Sequence, residues 1–207
     1  MRNHSIRAVL FDADGVVQRA APGWRDALAA LSPDPASADA FCAAVFAAER
    51  PCLTGAGDFR SALAEALETF GCGSDVEEAL RVWTLIDPVD DVLAVARRLR
   101  ARGLITGLAT NQQSYRAAYM SERLGYRSAF DHLFYSCELG HAKPSAGFFR
   151  SALANLALPP SQVLFLDDHP DNVAAARQVG LCAEQFHADQ GATALWSLLA
   201  ARGVPPD

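Results

Sequence analysis

Two carboxylates, one residue apart and followed by a glycine, close a four-residue apolar run: Ala8-Val9-Leu10-Phe11, then Asp12-Ala13-Asp14-Gly15. A second apolar run, Val163-Leu164-Phe165-Leu166, ends in Asp167 and Asp168. A third, at 104–109, ends in Thr110 and Asn111. Before a later helical stretch stands Lys143, the one lysine in a chain with 17 arginines. Arginine and lysine differ in shape and hydration, so a lone compact ammonium is a candidate for chemistry. Three or four carboxylates brought together repel one another, and a hard divalent cation relieves that repulsion. Oxygen-only ligands, with no histidine or cysteine pair nearby, suit magnesium. The hydroxyl of Thr110 and the ammonium of Lys143 are anion-binding groups. A cation, a lysine and a hydroxyl around one space describe a phosphoryl site. A carboxylate attacking phosphorus there would form an aspartyl-phosphate.

Such chemistry requires elements that carry distant residues to one place. Short continuous apolar runs read as strands buried on both faces, as in a parallel sheet. They alternate with helical patterns at 89–102, 114–124, 145–156, 173–179 and 192–201. Strand, crossover helix and strand in succession predict an α/β fold, a doubly wound, Rossmann-like parallel sheet. In that architecture ligands bind at the carboxyl ends of the strands. The stretch between the first strand and the first of these helices differs. Residues 23–86 are Ala-rich and helical throughout, broken at Ser32-Pro33-Asp34-Pro35, near Pro51 and at Gly71-Cys72-Gly73. Asp58, and Ser74 or Asp75, are placed to cap helices. Residues 18–22 and Asp87-Pro88 read as linkers. The expected organisation is a core of residues 1–17 and 88–207, with a small all-helical insertion at 18–87.

Composition narrows the functional classes. Of the 207 residues 51% are hydrophobic, enough for a substantial core, and the net charge is −6. No basic cluster with interleaved aromatics suggests a nucleic-acid partner. No apolar run approaches the roughly 20 residues of a membrane-crossing helix. Met1-Arg2-Asn3-His4-Ser5-Ile6-Arg7 has no signal-peptide pattern, so a cytoplasmic location is expected. The five cysteines are scattered without metal or redox spacing and read as reduced thiols. The pattern specifies no oligomeric state.

The four polar segments, in this order, resemble the haloacid dehalogenase superfamily of hydrolases, phosphatase branch. The first motif is Phe11-Asp12-Ala13-Asp14-Gly15-Val16 and the second Leu108-Ala109-Thr110-Asn111. The third is Lys143-Pro144-Ser145-Ala146-Gly147-Phe148-Phe149 and the fourth Asp167-Asp168-His169-Pro170-Asp171-Asn172. The resemblance implies that Asp12 is the nucleophile and Asp14 the general acid and base. It implies that Thr110 and Lys143 are catalytic and hold the phosphoryl group, with the backbone near Asn111 completing the cradle. It assigns magnesium to Asp12, Asp14 (through its carbonyl), Asp168 and, directly or through water, Asp167. Asn172 would orient the acidic loop. Dehalogenases of the superfamily lack the second carboxylate, so the presence of Asp14 favours phosphate-ester hydrolysis. The implied substrate is a small phosphorylated metabolite, such as a sugar phosphate. A sugar-phosphate mutase or other phosphotransferase shares these motifs, and a catalytically silent metabolite-binding relative would keep the fold.

The insertion resembles the family's helical cap, which would select the substrate. Arg50, Thr54 and Arg60 are candidates there, weighed against plain solvated surface. Trp24 and Trp83, at helical spacing, read as cap core rather than a stacking platform. Gln18, Gln112, Gln113, His141 and His169 stand closer to the motifs, and His169 either contacts the substrate or caps the following helix.

Overall fold

The computed structural model describes residues 5–205; residues 1–4 of the leading stretch and 206–207 lie outside it. Strands run β1 (Ala8–Phe11), β2 (Gln18–Ala20), β3 (Ile86–Pro88), β4 (Ile105–Thr110), β5 (His132–Tyr135), β6 (Val163–Asp167) and β7 (Cys182–Gln185). Helices are α1 (Trp24–Ala29), α2 (Ala38–Cys52), α3 (Phe59–Thr69), α4 (Val76–Leu80), α5 (Asp90–Ala101) and α6 (Ser114–Glu122). They continue as α7 (Tyr126–Ala129), α8 (Ser136–Leu139), α9 (Ala146–Leu156), α10 (Pro170–Gln178) and α11 (Gly191–Ala201).

Five strands form one sheet in the order β5-β4-β1-β6-β7, all parallel. The chain first builds outward from β1 through β4 to β5, then crosses to β6 and β7 on the other side. The strand order therefore reverses between β1 and β6, where an open α/β sheet opens its crevice. The period of two along each strand divides the core. Val9, Phe11, Leu164 and Leu166 pack on one face with residues of α5, α6 and α11. Ala8, Leu10, Val163 and Phe165 pack on the other with α9 and α10. Gly107 in β4 makes room for this packing, because a Cβ there would lie 2.6 Å from Leu10 Cδ2. The register sets Phe11 beside Leu166, and the Asp12 N–H donates to the Leu166 carbonyl at 2.8 Å. Asp12 and Asp167 thus leave neighbouring strands at the same level.

Helices α1 to α4 bury a separate cluster that includes Leu28, Phe41, Val45, Phe59, Leu63, Leu67, Leu80 and Trp83. Asp58 and Asp75 cap α3 and α4 by accepting the Ser61 and Glu77 backbone N–H groups. The two expected linkers are not free connections. Gln18–Ala20 pairs antiparallel with Ile86–Pro88 in a two-stranded ribbon. Three-residue strands are too short to display alternation, and their pairing requires a partner remote in sequence. Pro51 lies inside the last turn of α2 rather than ending it, and the short helix α8 follows β5 directly.

Candidate active site

The acids delivered by β1 and β6 meet at the reversal point. Asp12, Asp167 and Asp168 each present a carboxylate oxygen, all within 4.8 Å of one another. The ammonium of Lys143, with its side chain only 1% exposed, lies 2.8 Å from Asp12 Oδ1 and 2.6 Å from Asp167 Oδ2. Burial pushes the Asp12 carboxyl up to about 7, against the pull of Lys143. Burial works against the charge on Lys143, yet the two carboxylates beside it hold its pKa above the usual lysine value. Burial and the charge of Asp167 raise Asp168. Three carboxyl groups share one ammonium in a small volume, and burial together with that crowding raises Asp12 and Asp168. An all-oxygen, part-buried set so crowded fits a hard divalent cation.

Second contacts fix these groups. Asn172 Nδ2 donates to both oxygens of Asp167, at 3.0 and 3.1 Å, and the His169 N–H donates to Oδ1 at 2.8 Å. Asn111 clasps the Lys143 backbone from both sides. Its Nδ2 donates to the Lys143 carbonyl at 2.9 Å and its Oδ1 accepts the Lys143 N–H at 2.8 Å. The Asn111 side chain thereby places the lysine backbone. Thr110 Oγ1 accepts from Gln112 Nε2 at 3.2 Å, so its hydroxyl proton remains free for another acceptor. Asp12, Asp14, Gly15, Thr110, Asn111, Lys143 and Asp168 line one cavity of about 300 Å³, with His169 and Asn172.

Asp14 stands apart from the three clustered acids. Its carboxylate forms a bidentate pair with Arg116, with N–O distances of 2.6 and 2.8 Å. Gln112 and Gln18 donate to the same carboxylate at 2.8 and 3.0 Å. Burial alone would raise this carboxyl, but the Arg116 guanidinium and the amide donors hold it below the usual aspartate value. Arg116 also donates to the Trp83 carbonyl at 3.3 Å and so ties the main sheet unit to the helical segment. The motif reading passed over Arg116. One signal pointed to it: an arginine in the first turn of a helix faces the unfavourable end of the macrodipole, and an anion nearby compensates.

The remaining candidates separate clearly. His169 caps α10, its Nδ1 accepting the Asp171 N–H at 3.3 Å. Arg60 pairs with Glu77, Thr54 donates to the Pro51 carbonyl, and neither they nor Arg50 line the clefts beside the acids. Trp24 and Trp83 pack with the helical core and also border a cavity next to Asp14.

Comparison with known proteins adds to this geometry. The family model for haloacid dehalogenase-like hydrolases matches residues 6–180. Phosphoglycolate phosphatase of Rhodospirillum rubrum is 28% identical over 191 residues, covering 84% of this chain and 77% of that protein. Drimenol cyclase DrtB of Aspergillus calidoustus is 41% identical over 58 residues, or 28% of this chain; the match spans 11% of the length of that protein. A haloacid dehalogenase family enzyme of Bacteroides thetaiotaomicron, solved with magnesium and inorganic phosphate, superposes with a TM-score of 0.77 at 16% identity. That alignment covers 93% of this chain and 100% of the other, and it establishes a shared fold. Among the described residues no helix is long and apolar enough to cross a membrane.

Proposed function

The chain belongs to the haloacid dehalogenase-like hydrolases, and from that premise we propose that it is a magnesium-dependent phosphatase acting on a small phosphate monoester. The observation that carries this reading is the charge arrangement. Asp12, Asp167 and Asp168 converge, and the ammonium of Lys143 pairs with Asp12 and Asp167, while Asp14 waits at the rim. Magnesium would be held by Asp12, Asp168 and Asp167, with the Asp14 carbonyl. When bound, it would screen the carboxylates and polarise a phosphoryl oxygen.

The chain's own residues then divide the work. Lys143 compensates the charge of Asp12 and of the phosphoryl group, and the free Thr110 hydroxyl proton donates to a phosphoryl oxygen. An Asp12 carboxylate oxygen bonds to phosphorus as the bond to the leaving oxygen breaks, and Asp14 gives that oxygen a proton. In the second half a water oxygen bonds to phosphorus and its proton passes to Asp14. The bond to Asp12 breaks and phosphate leaves. The Arg116 pair favours ionised Asp14, which suits the base half. For the acid half Asp14 first takes up a proton from solvent, parting from Arg116, and then passes that proton to the bridging oxygen. Residues 18–87 act as a cap over the site, hinged at the β2–β3 ribbon.

A mutase reading needs a cationic cradle for a second phosphate. The neighbouring cavity does not favour one, because among the described residues its one lining cation, Arg116, faces the carboxylates of Asp14 and Glu49. The test is phosphate release from p-nitrophenyl phosphate with and without magnesium. Chelation should abolish it, and Asp12→Asn should lower it by at least about 100-fold. Full activity of a folded Asp12→Asn variant would refute the assignment.

A further inference from the structure

Asp14 borders two cavities, not one. The first is the phosphoryl cleft; the second, of about 290 Å³, lies on the side of the helical segment. A substrate with its phosphorus beside Asp12 would pass its bridging oxygen over Asp14 and place its leaving group in the second space. The walls of that space are Trp24, Phe46, Val82, Trp83 and Leu85, with Ala20 from β2. Trp24 and Phe46 meet edge to face with ring centroids 6.2 Å apart. Leu85 is the single exposed large hydrophobic side chain among the described residues, and it stands in this wall. An exposed apolar group beside an aromatic cavity marks a surface awaiting a ligand.

The polar complement is small and already employed. Arg116 and Asp14 satisfy each other. Glu49 accepts the Trp83 indole N–H at 2.8 Å, and burial pushes its carboxyl above the usual glutamate value. A sugar would bring several hydroxyls into a space with few open partners, and each unpaired one is penalised. Charge does not choose the leaving group, because Arg116 shares this wall with Asp14 and Glu49. An engineered apolar cavity of roughly 150 Å³ accepts benzene, so this one suits a group of about twice that size.

We infer that the substrate is the phosphate monoester of a compact, largely apolar alcohol, whose hydrocarbon body lies against Trp24, Phe46 and Leu85. The inference rests on the phosphatase reading and goes beyond it in naming the alcohol. It is tested with three esters of primary alcohols of similar intrinsic reactivity: 2-phenylethyl phosphate, glycerol 1-phosphate and ethanolamine phosphate. Phosphate release is measured with magnesium, in the full chain and in Leu85→Asp and Phe46→Ala variants. The apolar ester should be favoured in kcat/KM by about 30-fold, as burial of a phenyl group predicts, chiefly through KM. Each variant should cut that preference by at least about 5-fold. Leu85 is exposed, so its variant tests the wall even if Phe46→Ala fails to fold. Equal or better use of glycerol or ethanolamine phosphate would overturn the inference and leave the phosphatase reading standing. An undiminished preference in Leu85→Asp and in folded Phe46→Ala would overturn it too. Inactivity towards all three esters with activity on p-nitrophenyl phosphate would overturn the inference alone, and inactivity towards all four would overturn both readings.

Discussion

Gly15→Ala probes the metal site without touching a ligand. Gly15 adopts φ +81°, and a Cβ there would lie 2.4 Å from Asp168 Oδ2 and 2.6 Å from Asp168 Cγ. An ordinary C···O contact is about 3.4 Å, so the Asp168 carboxylate would have to withdraw by about 1 Å. Magnesium holds its ligands at about 2.0–2.1 Å in a near-octahedral shell, and a bound site tolerates deviations of only about 0.2 Å. The displaced carboxylate therefore drops out of coordination. The left-handed backbone adds a further cost of about 1–2 kcal/mol to folding. Gly23 provides the control, because it has φ +79° and a Cβ there would meet nothing within 4 Å. In urea unfolding with chelator present Gly15→Ala should lose at least as much stability as Gly23→Ala, which bears the backbone cost alone. Only Gly15→Ala should raise the magnesium concentration for half-maximal phosphate release, by at least about tenfold. A half-saturation within twofold of the parent protein, in a folded Gly15→Ala variant, would refute the assignment of Asp168 to the metal.

Three other perturbations separate the remaining roles. Lys143→Met leaves Asp12 and Asp167 buried without their ammonium, so in chelator it should lose about 3–5 kcal/mol of unfolding free energy, with magnesium restoring part of it; a loss below about 1 kcal/mol in chelator would contradict the pairing. Arg116→Met should lower kcat by about 10–100-fold while the magnesium half-saturation stays put, and a change in magnesium dependence alone would argue against a role through Asp14. Glu49 has a raised folded-state pKa, so its contribution is present below the ordinary glutamate pKa and fades as pH rises through the folded value. The melting temperature of Glu49→Gln should therefore match the parent near pH 4 and exceed it at pH 7, and a gap of the opposite sign would disprove the burial argument.

Much of this protein was legible in its sequence, because the relevant signals are local. Ala8–Phe11 and Val163–Asp167 are short runs of apolar residues, and such runs form strands wherever both faces can be covered. Polar residues that end those runs must emerge at the rim of a parallel sheet, which is why Asp12, Thr110, Asp167 and Asp168 could be gathered from the chain alone. Asp58 and Asp75 capped their helices for the same reason, since capping depends on three or four consecutive residues.

Tertiary packing alone decided how the gathered groups are held and what surrounds them. Nothing near Asn111 in the chain says that its amide will be consumed by the backbone of Lys143. Nor does the pattern about Arg116 reveal that it will grip Asp14 while touching the Trp83 carbonyl. The ribbon between Gln18–Ala20 and Ile86–Pro88, and the cavity walled by Trp24, Phe46 and Leu85, have the same origin. Hydrophobic periodicity states that a side chain will be buried, but the identity of its neighbour follows from how helices and sheet stack. The clustered acids belong to the first kind of information, and the cavity beside them belongs to the second.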